Sequence, residues 1–240
     1  MAETQRHAEF PATKWTIILK AAAGHSRASR VALEDLCRAY WPPLYAFLRR
    51  AGHEPDEAKD LVQGYIVRLL EREDLATVSP DKGRFRTYLL RGLRNHLVSE
   101  VRRETAQKRG GRNACFPLDT RNDEAVLAAG LAETLSPDVA FDRRWAETIL
   151  DRSLEALRQE YNNRGKGRVY EALKSALANE AEDYSSLGRE LSMTAGAVAV
   201  TVHRLRLRLR ELVRAEVAQT VGSEADLEEE MSNLLAILSQ

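Results

Sequence analysis

Tyr184-Ser185-Ser186-Leu187-Gly188-Arg189-Glu190-Leu191-Ser192-Met193-Thr194-Ala195-Gly196-Ala197-Val198, continued by Val200–Arg210, admits two readings. From Val200 to Arg210 apolar and basic residues alternate, the pattern of a half-buried strand. Over a longer window Val198, Val202, Leu205, Leu209 and Leu212 follow a 4-3-4-3 spacing with no turn residue between them, the pattern of a helix. Length and continuity favour the helix. Upstream, Leu187 and Leu191 share one face of a short first helix, Ser192-Met193 makes the turn, and Thr194 offers a hydroxyl to cap the second helix. The stretch reads as a helix–turn–helix. Antiparallel hairpins in any bundle resemble it, so the basic residues carry the functional weight. His203, Arg204, Arg206, Arg208 and Arg210 spread over the faces that the apolar stripe leaves open. Such a helix suits the major groove of duplex DNA, with its first residues at base edges and its arginines on phosphates.

Working outward, the rest of the chain is also predicted to be helical. Thr13 caps a short helix, Lys14–Ala23, that ends at Gly24. Val31–Arg50 carries Leu33, Leu36, Tyr40, Leu44, Phe47 and Leu48 at helical spacing, with Pro42 and Pro43 bending it midway. Gly52-His53-Glu54-Pro55 is a break. The next helix starts at Asp56, with acids in its first turn where the helix dipole favours them, and runs to about Glu71. Ser79–Gly83 is a loop, and Phe85–Arg103 is a helix with Phe85, Leu89, Leu93 and Leu97 recurring every four residues. Gln107–Leu135 lacks strong periodicity and reads as a linker. Helices resume over Phe141–Tyr161 and Arg168–Asn179, and Leu227–Leu238 is a last amphipathic helix with an acidic start.

The 240 residues allow one or two domains, and each half is long enough to bury a core. No stretch approaches the roughly 18 apolar residues of a membrane span, and residues 1–12 lack a signal-peptide core, so a cytoplasmic location is expected. Cys37 and Cys115 form no CxxC motif and read as small buried hydrophobes or idle thiols. Net charge is zero, which alone argues against a polyanion partner, yet the charges are segregated. From Arg84 to Arg112 nine basic residues face two acidic ones, and from Arg204 to Arg214 five arginines face Glu211 alone. The balancing acids lie in Glu54–Asp60, Glu71–Asp74 and Glu224–Glu230. Two separate basic segments suggest two contact surfaces for nucleic acid. In the first, Phe85, Tyr88 and His96 interleave with Arg84, Arg86, Arg91, Arg94 and Asn95, which suits a single strand whose bases stack while cations track its backbone. Phe85 and Leu89 read as core. No phosphate loop, metalloprotease motif or nucleophile elbow is present, and Gly165-Lys166-Gly167 lacks phosphate-loop spacing.

Four motifs carry a family resemblance. Tyr40-Trp41-Pro42-Pro43-Leu44-Tyr45, Asp56-Glu57-Ala58-Lys59-Asp60-Leu61-Val62-Gln63, Gly83-Arg84-Phe85-Arg86-Thr87-Tyr88-Leu89-Leu90, and Asn95 before Arg102-Arg103 resemble region 2 of the extracytoplasmic-function (ECF) group of sigma-70 family RNA polymerase sigma factors. Tyr184–Arg210, with Val198 and His203-Arg204, resembles their region 4. The match keeps the family's order over roughly residues 13–105 and 141–220. Phe10-Pro11-Ala12-Thr13-Lys14-Trp15 and Glu216-Val217-Ala218-Gln219-Thr220 look like a subgroup often associated with Ser/Thr kinases.

The resemblance implies an all-α fold of two helical domains. Residues 13–105 would form the region 2 bundle, 106–140 a linker, 141–220 the region 4 helix–turn–helix, and 221–240 an acidic extension. Asp56, Glu57, Asp60, Leu61 and Gln63 would dock on the clamp helices of the polymerase largest subunit. Lys82, Arg84, Arg86, Tyr88, Arg91, Asn95, Arg102 and Arg103 would bind the −10 element as it melts. The −35 element would be read as duplex by Thr194, Ala195, Ala199, Val200, Thr201, His203, Arg204, Arg206 and Arg208. The implied function is promoter recognition and initiation of melting, with core RNA polymerase and promoter DNA as partners and an anti-sigma factor or a Ser/Thr kinase as a possible third. No membrane contact, cofactor, metal or catalytic residue is expected, because the chemistry belongs to the polymerase. Lys59 stands where the family usually has an acid, a change expected to weaken docking by ~1–3 kcal/mol if the contact is partly buried. Val62 stands where the kinase-linked subgroup commonly has threonine, and Ala195, Ala199 and Val200 replace more polar residues. The rival reading is a stand-alone helix–turn–helix regulator that binds duplex operators as a dimer.

Overall fold

A computed structural model describes residues 27–71, 84–107, 135–178 and 183–239. Every regular element among them is a helix. In chain order these are α1 (Arg27–Arg50), α2 (Pro55–Glu71), α3 (Phe85–Gln107), α4 (Pro137–Asn163), α5 (Gly167–Leu173), a single 3₁₀ turn (Ser175–Leu177), α6 (Tyr184–Leu191), α7 (Ala195–Ala218) and α8 (Glu224–Leu238). The expected Lys14–Ala23 helix, the Ser79–Gly83 loop and residues 108–134 of the expected linker lie outside the described residues. The chain divides into two compact units. One comprises Met1–Thr148 and Ala218–Gln240, and the other Ile149–Val217.

In the first unit, α1 buries Leu33, Leu36, Tyr40, Leu44 and Leu48, the face its spacing predicts. The helix continues through Pro42 and Pro43 although neither can donate to the preceding turn. Burial of Tyr40, Trp41, Leu44 and Tyr45 on either side offsets that loss. It stops at Gly52, whose φ of 97° is open to glycine at little strain. There His53 N–H bonds the Leu48 carbonyl at 3.1 Å and Gly52 N–H the Arg49 carbonyl at 3.3 Å. Helix α3 enters the core through Phe85, Leu89 and Leu93, all fully buried. The Phe85 ring meets Tyr40 edge-on at 5.1 Å, and its N–H donates to the Thr220 carbonyl at 3.0 Å. Helices α2 and α3 cross at Tyr65, whose hydroxyl donates to the Leu89 carbonyl at 2.9 Å across the side-chain-free Gly92. Helix α8 is capped by Ser223, whose Oγ accepts from Asp226 N–H at 3.2 Å, and it buries Leu227 and Leu234.

The second unit packs Leu157, Tyr170, Leu173, Ala176, Val198, Val202 and Leu205 into one core. Half-buried Leu187, Leu191, Leu209 and Leu212 line it, so the 4-3-4-3 stripe of α7 is its apolar face. The segment predicted as one helix over Arg168–Asn179 is instead α5 followed by the 3₁₀ turn. The carbonyl of Ala176 in that turn accepts from Arg206 Nη2 at 2.8 Å, a partner thirty residues away that no local spacing announces.

Candidate polymerase and nucleic-acid interfaces

The first turns of α2 present acids. Asp56, Glu57 and Asp60 are exposed, Leu61 and Gln63 are half-buried, and Ala58, Val62 and Tyr65 form the buried side. Asp56, Asp60 and Gln63 follow an i, i+4, i+7 stripe. Local partners temper two of the three carboxylates. Lys59 Nζ lies 3.6 Å from Asp56, and His53 Nδ1 lies 2.9 Å from Glu57. The hydrogen bond from His53 holds the Glu57 carboxyl below its ordinary range. Lys59 thus spends its charge on a neighbouring acid within the helix, and Asp60 is the exposed acid beside it.

Helix α3 splits the expected single-strand contacts into two groups. Arg91 and Asn95 are exposed one turn apart, and half-buried Tyr88 precedes them, its ring 6.4 Å from that of Phe85. These three share one stripe of the helix. Arg84 and Arg86 are placed differently. Arg86 lies on the core side of the helix and is only 12% exposed. Its Nε and Nη2 both reach Glu230 at 2.8 Å, its Nη1 reaches Asp142 at 2.5 Å, and its guanidinium stacks 4.6 Å above Trp145. Arg84 pairs with Glu229 and, at 3.2 Å, with Glu230. The Glu229 hydrogen bond holds the Arg84 guanidinium above its ordinary range. Arg94 pairs with Asp138 and sits over Phe47 at 5.6 Å. Lys82 and the side chains of Arg102 and Arg103 lie outside the described residues, although α3 itself runs past both arginines.

Glu230 is the residue that reading the sequence missed. It is 0% exposed, a carboxylate on the apolar stripe of α8 between Leu227 and Leu234. The i, i+3, i+7 spacing of Leu227, Glu230 and Leu234 was the available signal, hidden because Glu228-Glu229-Glu230 reads as a solvated acidic run. A buried carboxylate is tolerable only when paired, and the two oxygens of Glu230 receive the paired donors of Arg86 as well as Arg84.

In the second unit the helix–turn–helix forms over α6 and α7. Ser192 takes a left-handed conformation, φ 55°, and Met193 N–H closes the turn on the Gly188 carbonyl at 2.8 Å. A Cβ on Gly188 would meet the Met193 carbonyl oxygen at 2.6 Å, so this tight turn requires glycine there. Thr194 caps α7, its Oγ1 accepting from Ala197 N–H at 3.2 Å. Thr194, Ala195, Val200, His203 and Arg204 are exposed, and Ala199 and Thr201 are half-buried. Thr201 also donates its hydroxyl to the Ala197 carbonyl at 2.8 Å. Gly196, Val200, His203, Leu207 and Arg210 trace a stripe opposite the core, with Val200 50% and Leu207 46% exposed. Arg206 and Arg208 are instead engaged by partners within the second unit, although Arg208 keeps 41% of its side chain exposed. Arg206 bonds the Ala176 carbonyl, and Arg208 grips Glu160 with Nε at 3.0 Å and Nη2 at 2.6 Å.

No helix among the described residues is long and apolar enough to cross a membrane. Neither a curated protein nor a solved structure matches the chain. Residues 36–107, from within α1 to the end of α3, match the model of the family described as Sigma-70 region 2. Helices α1 to α3 are therefore similar to region 2 of the sigma-70 family.

Proposed function

We propose that the chain is a sigma factor of the ECF type, a dissociable subunit that brings core RNA polymerase to promoters and starts melting at the −10 element. The observation that carries the reading is the region 2 match over α1–α3, followed in the chain by a capped helix–turn–helix. In this reading the exposed acids of α2, with Asp60 at their centre, dock on the polymerase clamp helices. Tyr88, Arg91 and Asn95 on α3 hold the extruded strand. Base extrusion costs a few kcal/mol of stacking, which aromatic stacking and phosphate contacts return. The stripe of α7 from Thr194 to Arg210 reads the −35 duplex, where Val200 and Ala199 suit thymine methyl groups and His203 and Arg204 supply donors. Chemistry stays with the polymerase.

Control by phosphorylation within α2 has no support in the residues. Tyr65 is the only hydroxyl side chain from Asp56 to Glu71, and it is buried with its hydroxyl bound to Leu89. A kinase would act elsewhere on the chain.

Selection from a random duplex library, with and without bacterial core polymerase, tests the function. The expected result is enrichment of two separated elements only when the core enzyme is present. Enrichment by the chain alone of symmetric half-sites about one helical turn apart would identify a stand-alone regulator instead.

A further inference from the structure

We propose that α8 is an intramolecular competitor of nucleic acid, a latch that occupies Arg84 and Arg86 and must be released before a promoter strand can use that end of α3. The inference rests on the reading of α3 as a single-strand-binding helix. Its substance is a coincidence of chemistry. The start of α3 is strongly basic, with Arg84, Arg86, Arg91 and Arg94, and the partner seated on it is the most acidic run of the chain, Glu224, Asp226, Glu228, Glu229 and Glu230 within one helix. A carboxylate makes the same paired demand on a guanidinium as a phosphate does. Glu230 meets that demand in full with both oxygens, and Glu229 takes the outer side of Arg84.

The two acids do different work. Glu230 is buried, so it holds α8 in place and salt reaches it poorly. Glu229 is two-thirds exposed and its contact with Arg84 is open to exchange with a passing phosphate. Arg86 keeps Asp142 and Trp145 as partners when α8 leaves, whereas Arg84 would lose both of its acids. Arg84 is thus the cation the latch controls. Leu227 and Leu234 bring α8 back to the same place each time it releases.

The test measures binding of a labelled 20-nucleotide single-stranded DNA by fluorescence anisotropy, using the full chain over a range of salt. The variants are Glu229→Gln, Glu229→Gln with Glu230→Gln, and that double change with Arg84→Ala. The double variant is expected to bind about tenfold more tightly than wild type with a steeper salt dependence, and Arg84→Ala to remove the gain. Glu229→Gln, at an exposed site, leaves the fold intact and is expected to give about a threefold gain by itself. Folded variants whose affinity and salt slope equal those of wild type would overturn the latch. The same proteins are assayed for core polymerase binding, which separates the two ideas. Core binding without any gain in DNA affinity sinks the latch alone. A gain in DNA affinity by a chain that ignores core polymerase upholds the masked surface and sinks the initiation reading.

Discussion

The two basic helices, α3 in the first unit and α7 in the second, solve one problem in different ways. Each carries arginines at a density that suggests a polyanion surface, and in each the structure withdraws two of them. On α7 the pair is Arg206, held by the Ala176 carbonyl of the 3₁₀ turn, and Arg208, held by Glu160 of α4, and Arg208 and Glu160 both retain solvent contact. On α3 the pair is Arg84 and Arg86, and the acid that takes them comes from the last helix of the chain and is fully buried. The difference teaches that a basic run is a set of individual fates. Register decides which arginines face solvent, and the burial of the partner decides how firmly the others are held.

The sharpest way to break that comparison is to truncate one arginine in each helix and unfold the variants in urea. Arg86→Ala leaves Glu230 buried without its main partner and should cost about 3–5 kcal/mol. Arg208→Ala removes a half-exposed pair and should cost no more than ~1 kcal/mol. Equal costs would mean that burial of Glu230 does not distinguish the two pairs. The next effect concerns the turn before α7. Gly188→Ala drives a methyl against the Met193 carbonyl and should destabilise the second unit by about 1–3 kcal/mol, with loss of duplex binding, while leaving core polymerase binding in place. A smaller effect of opposite sign is expected at Ser192. Replacing it with glycine relieves a left-handed residue and should raise stability by about 1 kcal/mol, read as a shift in the urea midpoint at constant slope.

Much of this was legible in the sequence, for identifiable reasons. The apolar spacing of α1, α2, α3 and α7 locates those helices because helical periodicity and burial are one geometric fact. The cap at Thr194 and the turn at Ser192-Met193 are local chemistry, and they stand where local chemistry puts them. What escaped depends on distant partners. Arg86 meets Glu230 across 144 positions and Arg208 meets Glu160 across 48, and no periodicity reports such meetings. The acidic start of α8 left open whether that helix covers a basic surface, because nothing in Glu228-Glu229-Glu230 says which of the acids faces the core.

The central claim, that α2 docks on RNA polymerase, is tested most directly by a pull-down of bacterial core polymerase at two salt concentrations, with wild type beside Asp60→Arg. Asp60 is exposed, so the variant should melt with wild type and any change in binding belongs to the interface. Wild type should be retained more strongly at the lower salt, and Asp60→Arg should lose at least tenfold in affinity, as expected when one charge of an electrostatic interface is reversed. No retention of wild type at either salt, or equal retention of both proteins, would contradict the account.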